Sequence, residues 1–274
     1  MSVTLVSVIG HNAEVLPHWL SYYNKRVDDF RLFVHKTNEY DEIVGVLSSQ
    51  GIPYQTLEGS AYDWALISKV ISGAINDVDG WSLIADSDEL VAFETGISNV
   101  AHMCEREGYL YATGIHVDRL SITGALTTTV RTIDLLDQYP TGAFVGFPLC
   151  QAQPRKVVLA KRGVEVSTGQ HNAIINGRTR YASSCEYALH PRMMTAQINH
   201  FKWNKGLRDR LANIRAVPNV YNAQEYNDVV SYLTKNNYCV VIDEKRFRSC
   251  NMRDSYYNHT FIKTLLNEEP VLSF

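Results

Sequence analysis

The chain has no hydrophobic run long enough to cross a bilayer: nowhere do roughly 20 apolar residues follow one another. Its opening, Met1 to Gly10, lacks the basic start of a signal peptide and reads as a strand. There is no C-x-x-C pair. The five cysteines, Cys104, Cys150, Cys185, Cys239 and Cys250, are odd in number and scattered, which argues against a disulfide framework or a zinc knuckle and points to a reducing cytoplasm. Neither sign of charge dominates, with 26 Lys and Arg against 29 Asp and Glu and a formal net charge of −3, so nucleic acid and anionic membranes are not indicated as partners. Repeats, low-complexity tracts and linkers rich in Pro, Gly or Ser are missing as well. What is there is an ordinary globular composition, 45% hydrophobic and 20% charged over 274 residues, enough for one large domain.

Hydrophobic patterning orders the first half as alternating strands and helices. Val3 to Ile9 is a β-branched run of the kind buried on both faces. After Gly10-His11-Asn12, Val15, Leu16, Trp19, Leu20 and Tyr23 fall on one helical stripe, with Pro17 tolerated only in the first turn. Strands are expected over 30–35, 52–57 and 81–85, and helices over 41–49, 61–76 and 96–107, with Asp41 capping the second helix. Such alternation predicts an α/β fold with a parallel, doubly wound sheet, whose ligands bind at the carboxyl ends of the strands. Beyond residue 108 the texture changes. Strands over 109–117, 127–133 and 155–161 follow without long helices between them, so antiparallel strands should extend the sheet. From Lys205 the chain turns helical again, with Asn222-Ala223-Gln224-Glu225 resembling a capping box. The expected organisation is a catalytic domain over 1–204, with halves 1–107 and 108–204, and a helical extension of it over 205–274.

The most informative stretch is Trp81-Ser82-Leu83-Ile84-Ala85-Asp86-Ser87-Asp88-Glu89-Leu90, an apolar run that ends in three acids. If the strand continued through them, Asp86 and Asp88 would share a face with Cα atoms roughly 6–7 Å apart. Two carboxylates that close repel unless a cation separates them, and a hard divalent ion such as Mg²⁺ or Mn²⁺ suits the pair. The alternative is a helix start, with Asp86 or Asp88 as N-cap and Glu89 in the first turn.

Three other segments carry polar chemistry: Gly169-Gln170-His171-Asn172, Asn199-His200-Phe201-Lys202-Trp203 and Gly114-Ile115-His116-Val117-Asp118-Arg119. Each alone also fits a hydrogen-bonded core histidine or a structural ion pair. Taken in order with Asn12-Ala13-Glu14, Trp19, Ala85-Asp86-Ser87-Asp88-Glu89-Leu90 and Lys156-Val157-Val158, they resemble family 2 glycosyltransferases of the glycosyltransferase-A fold, in a small bacterial and phage-type branch. The likeness covers roughly residues 3 to 215.

That resemblance implies a Rossmann-like, mostly parallel sheet extended by antiparallel strands, and a nucleotide-sugar bound in the N-terminal half, UDP-linked by preference. It implies a Mn²⁺ or Mg²⁺ on the diphosphate, acting as Lewis acid toward the leaving nucleoside diphosphate. Asp88 is expected to coordinate that ion, Asp86 to contact the ribose or a metal-bound water, and His200 or His171 to complete the shell. His11, Asn12, His35, Lys36, Asp63 and Lys69 are expected to flank the nucleotide. Inverting transfer to an acceptor hydroxyl (glycan, lipid-linked or small molecule) needs a general base, for which Asp118 is the candidate, beside Arg119, whose charge would lower its pKa. Glu89, Arg119 and Lys202 are expected to support the site from behind. The sequence departs from such enzymes at Val34-His35-Lys36-Thr37-Asn38, where relatives carry an acid. A metal-dependent phosphoesterase or nucleotidyltransferase, or a degenerate sugar-nucleotide-binding module, are the competing classes.

Overall fold

A computed structural model describes residues 1–181, 187–190, 193–217 and 223–267. The chain divides into two compact units: Met1–Ile115, Arg155–Ile198 and Tyr257–Phe274 form the first, and His116–Pro154 and Asn199–Tyr256 the second. Among the described residues no helix is long and apolar enough to cross a membrane.

In the first unit β1 (Val3–Ile9), α1 (Leu16–Tyr23), β2 (Asp29–His35), α2 (Tyr40–Ser49), β3 (Tyr54–Leu57), α3 (Trp64–Asp77) and β4 (Trp81–Ile84) alternate as the patterning predicts. Pro17 sits in the first turn of α1, where its missing N–H costs nothing. β1 is buried on both faces and pairs in parallel with β2 on one side and β4 on the other, while β2 pairs in parallel with β3. The strand Arg155–Lys161 then joins β4 antiparallel, and residues 111–115 join it in turn. The fold is thus α/β, with a parallel sheet extended by antiparallel strands.

α3 shows how the sheet is covered. Ile67, Ile71 and Ile75 recur every four residues, hence on one helical face. They meet Val6 and Ile84 from the parallel strands, Val157 and Ala160 from the antiparallel one, and Val164, Val166, Ala173 and Ile175 from a small meander beneath. Gly114 is needed where residues 196–198 close against its strand, because a Cβ there would come within 2.8 Å of Ile198.

Three expectations fail locally. Asp86, Ser87 and Asp88 do not continue β4. The strand stops at Ile84, Glu89 N donates to Asp86 O across a turn, and β5 (Glu89–Ala92) starts at once. Residues 127–133 form no strand; they lie in turns tied by single bridges such as Thr127 to Asn204. The expected capping residue Asn222 lies outside the described residues, and α2 begins after Glu39, not Asp41.

In the second unit, strands Thr141–Ala143, Cys250–Asn251 and residues 118–120 pair antiparallel. Helices Leu207–Arg215 and Ala223–Lys235 enclose Leu120, Val145, Trp203, Leu211, Leu233 and Phe247. For the first unit, Ile75→Ala should cost about 3 kcal/mol by cavity formation in its core, read as a lower urea midpoint at unchanged slope; a loss under about 0.5 kcal/mol would contradict the packing described.

Candidate functional site

The parallel order of β3, β2, β1 and β4 brings four loops to one edge of the first unit: 10–15, 36–39, 58–63 and 85–88. Aromatic donors on α1 build the last of these. Trp19 Nε1 donates to Asp86 O (2.9 Å), Tyr23 Oη to Glu89 O (3.0 Å) and Tyr22 Oη to Val91 O (2.8 Å), while Val91 N donates back to Tyr23 Oη. Ser87 Oγ donates to His11 O at 3.0 Å and takes Asn12 Nδ2 at 3.2 Å, which joins the β4 turn to the end of β1. Asn12 adopts φ 69°, a conformation its short side chain tolerates.

Within this turn the three acids differ. Asp88 is buried. Asp86 has 46% of its side chain exposed, and Glu89 is buried. Lys156, from the antiparallel strand, reaches across with Nζ 2.6 Å from Asp86 Oδ2 and 2.9 Å from both oxygens of Glu89. Glu89 Oε2 also accepts from Asp86 N. Burial would lower the lysine's pKa, but the charges of Asp86 and Glu89 and their hydrogen bonds raise it above its ordinary value, so it stays an ammonium. Asp86 is raised to about 6: desolvation dominates and the neighbouring charges of Glu89 and Asp88 add to it, against the lowering effect of Lys156.

At the ends of β1 and β2 two imidazoles meet. His11 Nδ1 lies 3.2 Å from Glu39 Oε1, whose other oxygen accepts from Ala13 N, and its ring stacks on Tyr62 at 5.4 Å and 20°. His35 is 1% exposed, with the Leu57 and Gly59 carbonyls beside its ring but no well-formed hydrogen bond at either nitrogen; His11 Nε2 is buried without a well-formed hydrogen bond too. Burial lowers the His35 pKa and His11 lowers it further, against Asp63 and the Leu57 and Gly59 carbonyls, so the ring is neutral at pH 7. Unpaired buried polar atoms are costly, and His11 Nε2 and the His35 ring nitrogens lie at the ligand edge of a parallel sheet. Of the remaining expected contacts, Lys36 is exposed and paired with Glu58 at 2.5 Å, Asp63 caps α3 through Leu66 N, and Lys69 is exposed on α3.

The expected metal ligands are not assembled. Among the described residues no three His, Cys, Asp or Glu side chains are grouped to hold an ion. Asp86 is engaged by Lys156. His171 places Nδ1 2.7 Å from Arg155 O, its ring filling the space beside Gly169, where a Cβ would come within 2.8 Å. His200 belongs to the second unit, with Nδ1 3.3 Å from Asp118 Oδ1 and its ring centroid 5.0 Å from that of His116. Within the first unit, Asp86, Asp88 and His171 are not grouped to hold an ion.

The second unit also corrects the role expected of Asp118. Its carboxylate is buried and accepts from Trp203 Nε1 (2.8 Å), Val145 N (3.0 Å) and Gly146 N (3.1 Å). Burial would raise its pKa, but the His200 hydrogen bond, the Lys202 and His200 charges and the Trp203 N–H outweigh it and hold the carboxyl well below the usual range. A carboxylate so satisfied is a poor proton acceptor, and general base is not a role it fits. Arg119 is not its partner. Adjacent strand residues face opposite ways, and the guanidinium donates to Tyr139 O and Met252 O, with burial lowering its pKa to about 10. Lys202 places Nζ 5.2 Å from the Trp203 ring centroid.

Sequence reasoning left out Glu39, Tyr62 and Ser87, and counted Lys156 only as part of a motif. A lysine inside a strand otherwise buried, Arg155–Lys161, was the available signal.

No protein-family model matches the chain, and no curated protein matches it. Among solved structures it is similar to S. aureus TarS 1–349, at 11% identity over 89% of this chain and 77% of that one, with TM-score 0.35. It is similar to the same fragment in complex with UDP at 16% identity, covering 44% of this chain and only 36% of that one, with TM-score 0.28. A nucleotidyl transferase from Methanothermobacter thermautotroptrophicus matches at 11% identity over 59% and 72%, with TM-score 0.24. Likeness of this degree carries no argument about this chain.

The Asp118 geometry sets a pH dependence. With its folded pKa depressed, its stabilisation is complete above the unfolded carboxylate value near 3.8 and is lost as pH falls below it toward the folded value. Asp118→Asn should therefore cost about 3 kcal/mol at pH 7, and the gap from the unaltered protein should narrow below pH ~4. Chemical unfolding across pH 3–7 measures it, and a gap constant with pH would refute the ionised, donor-saturated carboxylate.

Proposed function

We propose that this chain is a glycosyltransferase that moves a hexose from a nucleoside-diphosphate sugar, UDP-linked by preference, to an acceptor hydroxyl with inversion. The observation that carries the reading is the meeting of His11 and His35, whose buried His11 Nε2, His35 Nδ1 and His35 Nε2 atoms make no well-formed hydrogen bond, with Tyr62 and the Asp86 turn where parallel strands end. Ligands of α/β sheets occupy that edge. A neutral His35 offers one donor and one acceptor to the base, Tyr62 stacked on His11 offers an aromatic face, and the half-exposed Asp86 carboxylate can accept from ribose hydroxyls. Closed around a nucleotide, the His35 nitrogens and His11 Nε2 would gain hydrogen-bond partners.

The acid pair and the histidines give no two-metal cluster among the described residues, which disfavours the phosphoesterase reading. A binding module without chemistry is separated by product: the transferase releases nucleoside diphosphate and a glycosylated acceptor, the module neither. The first measurement is a thermal-shift panel of UDP-, GDP-, TDP- and CDP-sugars. At about a hundred times its Kd the right donor adds roughly 2.7 kcal/mol, raising Tm by roughly 5–10 °C. A panel in which no nucleotide moves Tm rejects the proposal.

His35 supplies a sharper check. Because its nitrogens make no well-formed hydrogen bond in the protein, His35→Leu should keep or raise stability while weakening UDP binding about tenfold, or ~1.4 kcal/mol. Calorimetry and unfolding together measure both. Unchanged UDP affinity would remove His35 from the site.

A further inference from the structure

The place between Asp86, one of the acids expected at a metal, and Glu89, expected to support the site from behind, is already filled. Lys156 Nζ lies 2.6 Å from Asp86 Oδ2 and 2.9 Å from each Glu89 oxygen. An ammonium has three N–H donors, and these three oxygens use them all. The lysine and Glu89 side chains are each 2% exposed, so water does not replace either partner. Glu89 Oε2 is bound a second time, by Asp86 N, which ties the carboxylate to the backbone of the turn it neutralises. A Mg²⁺ or Mn²⁺ ion would compete for the same lone pairs at about 2.0–2.2 Å, bringing two cations together where little solvent screens them.

We infer that Lys156 is the permanent counter-cation of the Asp86–Glu89 pair, and that this pair takes no divalent ion. As a statement about the donor edge it deepens the transferase reading and rests on it; as a statement about ion binding it stands on the geometry alone. The ammonium is built into the sheet, so charge at the turn is set by the fold and not by the metal content of the solution.

Mn²⁺ titration of the full chain, followed by paramagnetic resonance of the free ion, tests it. Mn²⁺ binding by the unaltered protein should be absent or insensitive to Asp86→Asn. Lys156→Met should open a single site at least about tenfold tighter, and adding Asp86→Asn to that variant should abolish it. Lys156→Arg, which keeps the charge, should keep the ion out. A site in the unaltered protein that Asp86→Asn removes would overturn the inference, and that comparison decides it even if Lys156→Met does not fold. A folded Lys156→Met that gains no site overturns it as well. UDP calorimetry in EDTA and in Mn²⁺ keeps the two readings apart. UDP bound in neither condition sinks the donor reading and leaves the ion result standing. A Mn²⁺ requirement for UDP that Asp86→Asn abolishes sinks the inference alone.

Discussion

A buried ammonium held by two carboxylates is the constraint on which the donor edge depends. Lys156 comes from the antiparallel strand added to the parallel sheet, whereas Asp86 and Glu89 come from the turn that closes β4, so the ion pair crosses the boundary between the two kinds of sheet. Breaking a buried pair of this kind on one side leaves an uncompensated charge and typically costs about 3–5 kcal/mol. Its desolvation cost argues against its being there for stability alone. What it provides is a fixed geometry: Glu89 grips the amide of Asp86, and the lysine holds both.

That arrangement explains why the three acids, which look equivalent on paper, are not. Asp86 faces solvent on one side and a cation on the other; Glu89 is wholly enclosed; Asp88 is buried. The same principle separates the aspartates of the two units. Asp118 is saturated by two amides and an indole with an imidazole beside it, and its proton affinity falls, while Asp86 has one strong partner and acidic neighbours, and its affinity rises.

The alternation of strands and helices through α3 was legible because a β-branched run and a four-residue isoleucine stripe carry distinct periods. The loops at His11, His35 and Asp86 followed, since a parallel sheet puts them on one edge. The end of β4 was not legible. Nothing in Ala85-Asp86-Ser87 distinguishes a strand that continues from one that turns; the turn is fixed by donors from Trp19 and Tyr23, more than sixty residues away. Lys156 was hidden for a like reason, because its partners lie about seventy residues away in the chain. Pairing Arg119 with Asp118 read proximity in sequence as contact, which strand alternation forbids.

Tyr23 has a consequence of its own. Its phenol gives a proton to the carbonyl of Glu89 and takes one from the amide of Val91, standing in for a neighbouring backbone at both. β5 is therefore stitched to α1 by two phenol oxygens, and that of Tyr23 serves two of its residues. A phenylalanine there would keep the ring's bulk yet orphan an amide and a carbonyl together, so a single lost atom would loosen the segment that follows the acidic turn.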